Sequence, residues 1–253
     1  MGWKKSLGFL PYGKDFQRHR RIFQEYFSKN ATNNYQSIQL REARLLAQNL
    51  AAGPSDLDYV LNRFSAAIIM GITYGQQIKS DDDPFVKLVN EVGIAFTHAG
   101  SIGANVLDIF PFLRYMPSWF PGTYYANFAR KNASKVRRMY DYPFEVVQEQ
   151  MSKGTAKHSL VSYYTEALNS GNDLGFEFDA EDIKGAAATT YMAGTETTAS
   201  SLSIFILAMI LYPDFQTRAQ EELDRVVGVD RLPEFSDRPS LPYLEYVLHE
   251  TLR

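Results

Sequence analysis

Apolar residues recur at helical spacing along nearly the whole chain. In residues 36–50, Ile38, Leu45, Leu46 and Leu50 interleave with Arg41, Glu42 and Arg44, which predicts an amphipathic helix. Ser55 offers an N-cap with Asp56 and Asp58 in the first turn, and an apolar helix is expected from there to Thr73, closed by Tyr74 and Gly75. Asp83 and Pro84 open another helix through Ala95. Between 100 and 122 glycine, proline and aromatic residues crowd together, the signature of an irregular apolar connection packed over something. A long helix follows over 123–151 with Pro143 as an expected kink, and a shorter one over 159–169 stopped by Ser170, Gly171 and Asn172.

The longest pattern starts at the cap Asp179, carries Glu181 and Asp182 in its first turn, and meets no breaker before Pro213. A helix of that length runs roughly 50 Å at about 1.5 Å per residue. Its middle and C-terminal part are apolar nearly all round, so it is expected to be buried in the centre of the molecule. An amphipathic helix over 214–227 and a last helix from 241, still running at Arg253, complete an all-α reading in a single partial domain over 1–253.

Composition narrows the chemistry. Lys+Arg 26 against Asp+Glu 29 leaves a net charge of −3, which gives no electrostatic case for nucleic acid. The N-terminus lacks the apolar core of a signal peptide. The uncharged runs 92–107 and 197–213 fall short of the ~18 apolar residues of a spanning helix, so the chain reads as soluble. Cys 0 excludes disulfides, thiolate metal sites and a cysteine nucleophile from this chain. The four histidines are scattered, and no metal-ligand set emerges.

Three polar features stand out. Ala193-Gly194-Thr195-Glu196-Thr197-Thr198 breaks local rules inside the long apolar helix: mid-helix Gly costs about 1 kcal/mol against Ala, and a Glu there is costly unless solvated or paired. The missing Cβ of Gly194 lets a flat ligand or a small molecule approach the backbone, a threonine hydroxyl can bond back to the i−4 carbonyl, and a carboxyl beside a hydroxyl is a plausible proton relay. A kink with a satisfied polar cluster explains the same residues. Glu250-Thr251-Leu252-Arg253 places a carboxylate and a guanidinium at i,i+3, a common surface pair. The run from Lys14 to Arg21 is basic, and an arginine there could clamp a carboxylate, although a solvated helix face is the better explanation of the run read alone.

In this order and spacing, these motifs resemble the cytochrome P450 superfamily, in its fungal microsomal form. The hexapeptide 193–198 looks like the oxygen groove of the central I helix, and Glu250 to Arg253 matches the E-x-x-R motif of the K helix. Pro11-Tyr12-Gly13 with Phe16, Arg20 and Arg21 looks like the C helix, with Phe16 where the family's W-x-x-x-R pattern has tryptophan. The resemblance implies a haem-thiolate monooxygenase that inserts one atom of O2 into an apolar substrate, with electrons from NADPH-cytochrome P450 reductase, at the endoplasmic reticulum membrane. It implies that Arg20 holds a haem propionate, that Ala193 and Gly194 lie against the distal haem face, and that Glu196 and Thr197 relay protons to dioxygen. Glu250 and Arg253 would be structural, and the region 84–122 would roof the substrate pocket. The family's ligand cysteine follows the K helix, so the chain looks like the middle part of such a protein, without the N-terminal β-rich segment and the haem-ligand region, and inactive alone. A non-catalytic helical protein is the competing expectation.

Overall fold

The computed structural model describes residues 2–78, 83–98 and 106–253. Ten α-helices and short 3-10 turns make up its regular structure, and no strand occurs among the described residues. The helices are α1 (Lys14–Tyr26), α2 (Gln36–Ala51), α3 (Leu57–Tyr74), α4 (Pro84–His98), α5 (Val106–Ile109), α6 (Tyr124–Ser152), α7 (Leu160–Ser170), α8 (Ala180–Leu211), α9 (Pro213–Val226) and α10 (Pro242–Thr251). They divide into two compact units, Met1–Ser28 with Met70–Met192, and Lys29–Ile69 with Ala193–Arg253, so the boundary falls within α3 and within α8.

In the first unit α4 packs on α6, where Leu88, Val92, Val136, Met139, Tyr140 and Ala188 form a core flanked by Trp3 and Met192. The caps explain the helix limits. The side chain of Ser159 accepts from the Ser162 N–H at 3.2 Å and starts α7, which Gly171 stops in the left-handed conformation at φ 66°. Asp179 Oδ1 accepts from the Asp182 N–H at 2.8 Å while Asp182 Oδ2 accepts from the Asp179 N–H at 3.1 Å, the expected cap of α8 in reciprocal form. Pro143 lies buried inside an unbroken α6. Arg137 donates to both oxygens of Glu181, at 2.8 and 2.9 Å, and ties α6 to the first turn of α8. That hydrogen bond lowers the Glu181 carboxyl to about 2 against the opposing effect of its partial burial, and Lys184 adds to the lowering.

In the second unit, α9 packs on α10, and Arg44 of α2 pairs with Glu234 at 2.9 Å. Buried Glu222 of α9 accepts from the N–H groups of Tyr243 and Leu244 at 3.1 and 2.9 Å, capping α10 from another helix because Pro242 and Leu241 offer no side-chain cap. Glu222→Ala should therefore cost about 1–2 kcal/mol, the range of a lost cap; urea unfolding of the 253-residue chain measures it, and an unchanged midpoint refutes the role.

Four expectations need correcting. Asp56, not Ser55, caps α3, because its Oδ1 accepts from the Tyr59 N–H at 2.9 Å. The last helix ends at Thr251, where the backbone bonding tightens to Arg253 N–H donating to the Glu250 carbonyl at 3.3 Å. Residues 99–105 of the connection expected over 100–122 lie outside the described residues. From Phe110 onward its aromatic side chains are exposed, up to Trp119 at 78%, while Leu113 is buried. Hydrogen bonds hold that stretch instead: Thr123 Oγ1 to the Phe120 carbonyl at 2.7 Å and Arg130 to the Arg114 carbonyl at 2.7 Å.

The fourth concerns α8. Ile183, Ala186, Ala187, Ala188 and Tyr191 are buried as expected, but Ile204, Leu207, Ile210 and Leu211 are exposed. Among the described residues α8 is long and apolar enough to cross a membrane by length and composition, and only 11% of its most apolar window is buried. The uncharged run from Thr197 is shorter than this apolar helix because Glu196 interrupts it.

Candidate functional site

Helix α8 accommodates its hydroxyls by bonding them to its own backbone. Thr189 Oγ1 donates to the Gly185 carbonyl, Thr190 to Ala186, Thr197 to Ala193 and Ser201 to Thr197, at 2.7, 3.0, 2.5 and 2.9 Å. The back-bond expected of a threonine in the hexapeptide is made by Thr197, to Ala193. Both residues are exposed, as is Glu196, which has no hydrogen-bond or ion-pair partner among the described residues. An apolar helix thus keeps a solvated carboxylate next to a hydroxyl, groups able to hold and pass a proton.

Gly194 behaves differently from the expectation of an open approach for a flat ligand. A Cβ there would stand 2.5 Å from Ile69 Cδ1 and 2.8 Å from Ile69 Cγ1, so the side chain of Ile69 in α3 occupies the space. The neighbour is the flexible end of a side chain, which predicts a sign change. Gly194→Ala should be neutral or mildly destabilising with Ile69 present, and stabilising by about 1 kcal/mol in an Ile69→Ala background, where only helix propensity remains. Denaturant melts of the four chains check this, and the same sign in both backgrounds excludes the packing role.

Arg20 lies on α1, in the first unit. Its neighbours are engaged: Arg18 pairs with Asp15 at 2.7 Å and Asp182 at 3.3 Å, and Arg21 pairs with Glu25 at 3.2 Å and stands over the Phe176 ring at 4.8 Å. Arg20 is exposed and has no carboxylate partner among the described residues. Phe16, in the tryptophan position of the motif, pairs with the ring of Tyr12 at 5.7 Å. Glu250 and Arg253 do meet, at 2.9 Å, with both side chains largely exposed.

Sequence reasoning missed the most buried polar contact of the first unit. His19 is fully buried and its Nε2–H donates to Asp182 Oδ1 at 3.2 Å, while its Nδ1 has no partner. Arg18 Nε lies at ion-pair distance from Asp182 Oδ2 without hydrogen-bond alignment. Burial works against ionisation of Asp182, but the His19 hydrogen bond, the Asp179 N–H and the Arg18 charge outweigh it and hold the carboxyl below its ordinary value. Gly185 makes room for this contact: a Cβ would stand 2.2 Å from the Lys5 carbonyl oxygen and 2.4 Å from His19 Cε1. A histidine paired with an acid 163 positions away leaves no local signal. The glycine among alanines at 185–188 was the one visible hint.

Comparison with known proteins identifies the family of the chain. The family model described as Cytochrome P450 matches residues 1–253. The chain is 38% identical over 252 residues to Cytochrome P450 monooxygenase 136 of Postia placenta, covering 99% of this chain and 47% of that protein. It is 34% identical to Cytochrome P450 monooxygenase ARMGADRAFT_974139 of Armillaria gallica, covering 100% and 50%. The chain thus spans about half the length of the curated relatives it matches. Its structure is similar to that of a zebra fish cytochrome P450 determined with progesterone, with a TM-score of 0.75, 25% identity, and coverage of 98% of this chain and 56% of that one. Sequence and fold agree along the whole chain, and these 253 residues belong to the cytochrome P450 family.

Proposed function

We propose that the chain is the helical part of a haem monooxygenase acting on an apolar small molecule, and that it supplies the distal groups of that reaction but not its thiolate. The observation that carries the reading lies in α8, where Ala193, Glu196 and Thr197 are exposed, Glu196 has no partner among the described residues and Thr197 bonds back to Ala193. The residues fit a haem in part. Arg20 is a guanidinium free to take a propionate, the charge-assisted pairing that arginine makes best. Ala193 has a small side chain suited to a flat macrocycle. Gly194 fits less well, since Ile69 fills its open side. With Cys 0, these 253 residues would supply no thiolate to a haem iron.

Haem, when bound, supplies the dioxygen chemistry. On this reading Glu196 exchanges protons with solvent and Thr197 orients a water beside it. Arg20 fixes one edge of the macrocycle, and the pair Glu250 and Arg253 is structural. Dioxygen, an apolar substrate and an NADPH-dependent reductase are the partners, and a membrane surface, that of the endoplasmic reticulum, is the location that suits the family.

Reduced haem and CO test the claim directly. The 253-residue chain should give no thiolate-type Soret band, whereas a chain that also carries a cysteine-bearing haem-ligand region should give one. In that longer chain Thr197→Ala should leave NADPH consumption running while product falls about a hundredfold, at the low end for a proton-transfer group. A thiolate-type band from the 253 residues, or unchanged coupling in Thr197→Ala, refutes the corresponding part.

A further inference from the structure

We propose that Asp182, acting through His19 and Arg18, is a positioning residue that sets the direction of Arg20. The inference deepens the haem reading and rests on Arg20 being the carboxylate-binding arginine. A helix held to its neighbour by surface contacts alone can roll about its axis, and at 3.6 residues per turn a small roll moves an adjacent arginine head by several ångströms. Helix α1 is denied that freedom at one point. His19 is fully buried, its ring fits against the bare backbone of Gly185, and its single hydrogen bond goes to Asp182. The second oxygen of Asp182 faces Arg18 at 3.3 Å and accepts the Asp179 N–H at 3.1 Å, so the carboxylate is itself fixed by the cap of α8.

The same carboxylate also settles which arginine stays available. Arg18, two residues before Arg20, is held by Asp182 and Asp15, and Arg21 by Glu25 and Phe176. Arg20 is exposed and has no carboxylate partner among the described residues. The contacts of Asp182 are with His19, Arg18 and Asp179, so its effect on Arg20 is carried by the helix. Asparagine cannot substitute: both carboxylate oxygens face donors, and an amide would turn its NH2 toward one of them.

The test uses the 253-residue chain with two probes, haemin and haemin dimethyl ester, which differ only in the free propionates. Binding is read from quenching of Trp3 and Trp119. Wild type should prefer haemin by about tenfold, the size of one charge-assisted hydrogen bond. Arg20→Ala should abolish the preference, and Asp182→Asn and His19→Gln, checked as folded by circular dichroism, should abolish it too. Full preference in both variants, with only a lower melting temperature, overturns the proposal, because that is what a purely structural pair would do. Arg18→Ala leaves the buried pair intact and guards against unfolded variants; it should lower the preference in part, and no change overturns the role of that ion pair. If wild type itself shows no preference, the haem reading of Arg20 fails. The positioning claim is then decided by phenylglyoxal modification of Arg20 with no haem present: a changed rate in Asp182→Asn supports it and an unchanged rate overturns it.

Discussion

Gly185→Ala is expected to destabilise the chain by at least about 2 kcal/mol, the reverse of what the substitution does in an ordinary helix interior. Alanine at an exposed helical position gains about 1 kcal/mol over glycine. At 185 the new methyl carbon would lie 2.2 Å from the Lys5 carbonyl oxygen and 2.4 Å from His19 Cε1, both under any tolerated contact. The first obstacle is backbone, in a segment pinned by the Leu7 N–H donating to Thr189 Oγ1 at 3.0 Å. The second is a buried ring with no room to turn. Relief requires either the N-terminal segment or α1 to lift off α8, which also gives up the His19 hydrogen bond. Urea unfolding should show a lower midpoint at unchanged slope, and a stabilised Gly185→Ala would mean that these elements do not pack as described.

Asp182→Ala should cost about 3–5 kcal/mol, the penalty of leaving buried partners without their acid. It strips the acceptor from His19, from the Asp179 N–H and from Arg18 together. The loss carries a pH signature. Because the folded carboxyl titrates below its ordinary value, its contribution is complete above the unfolded value of about 3.9 and disappears as pH falls through the lower folded value. Wild type and Asp182→Ala should therefore differ most at neutral pH and converge in acid. A gap that stays constant from pH 7 to strong acid would show that the ionised form adds nothing.

How much of this was legible in the sequence depended on the range of the contact. Asp179 announced the start of α8 because a cap and its helix are neighbours in the chain. Thr197 was readable for the same reason, its acceptor being four residues back. Ser55 against Asp56 shows the limit of that reading: both side chains suit a cap, and only the backbone geometry decides between them. Contacts between distant segments gave no such sign. Nothing near Glu222 says that it caps a helix starting at Pro242, and nothing near His19 names Asp182. Gly194 was noticed for the right reason and assigned the wrong neighbour, since an absent Cβ announces a close approach without saying whether a ligand or an isoleucine makes it.

The back-bond of Thr197 has a consequence for the order of events at the candidate site. Its hydrogen is committed to the Ala193 carbonyl at 2.5 Å, so at rest the side chain offers lone pairs and no proton. A water beside it must arrive as a donor, with its own oxygen turned toward the next source of hydrogen. On the proposed reading that source is the acid form of Glu196, reloaded from solvent, which would make the acid rather than the alcohol the entry point of each proton. Solvent isotope effects should then follow substitutions at 196 more closely than substitutions at 197 that keep an acceptor.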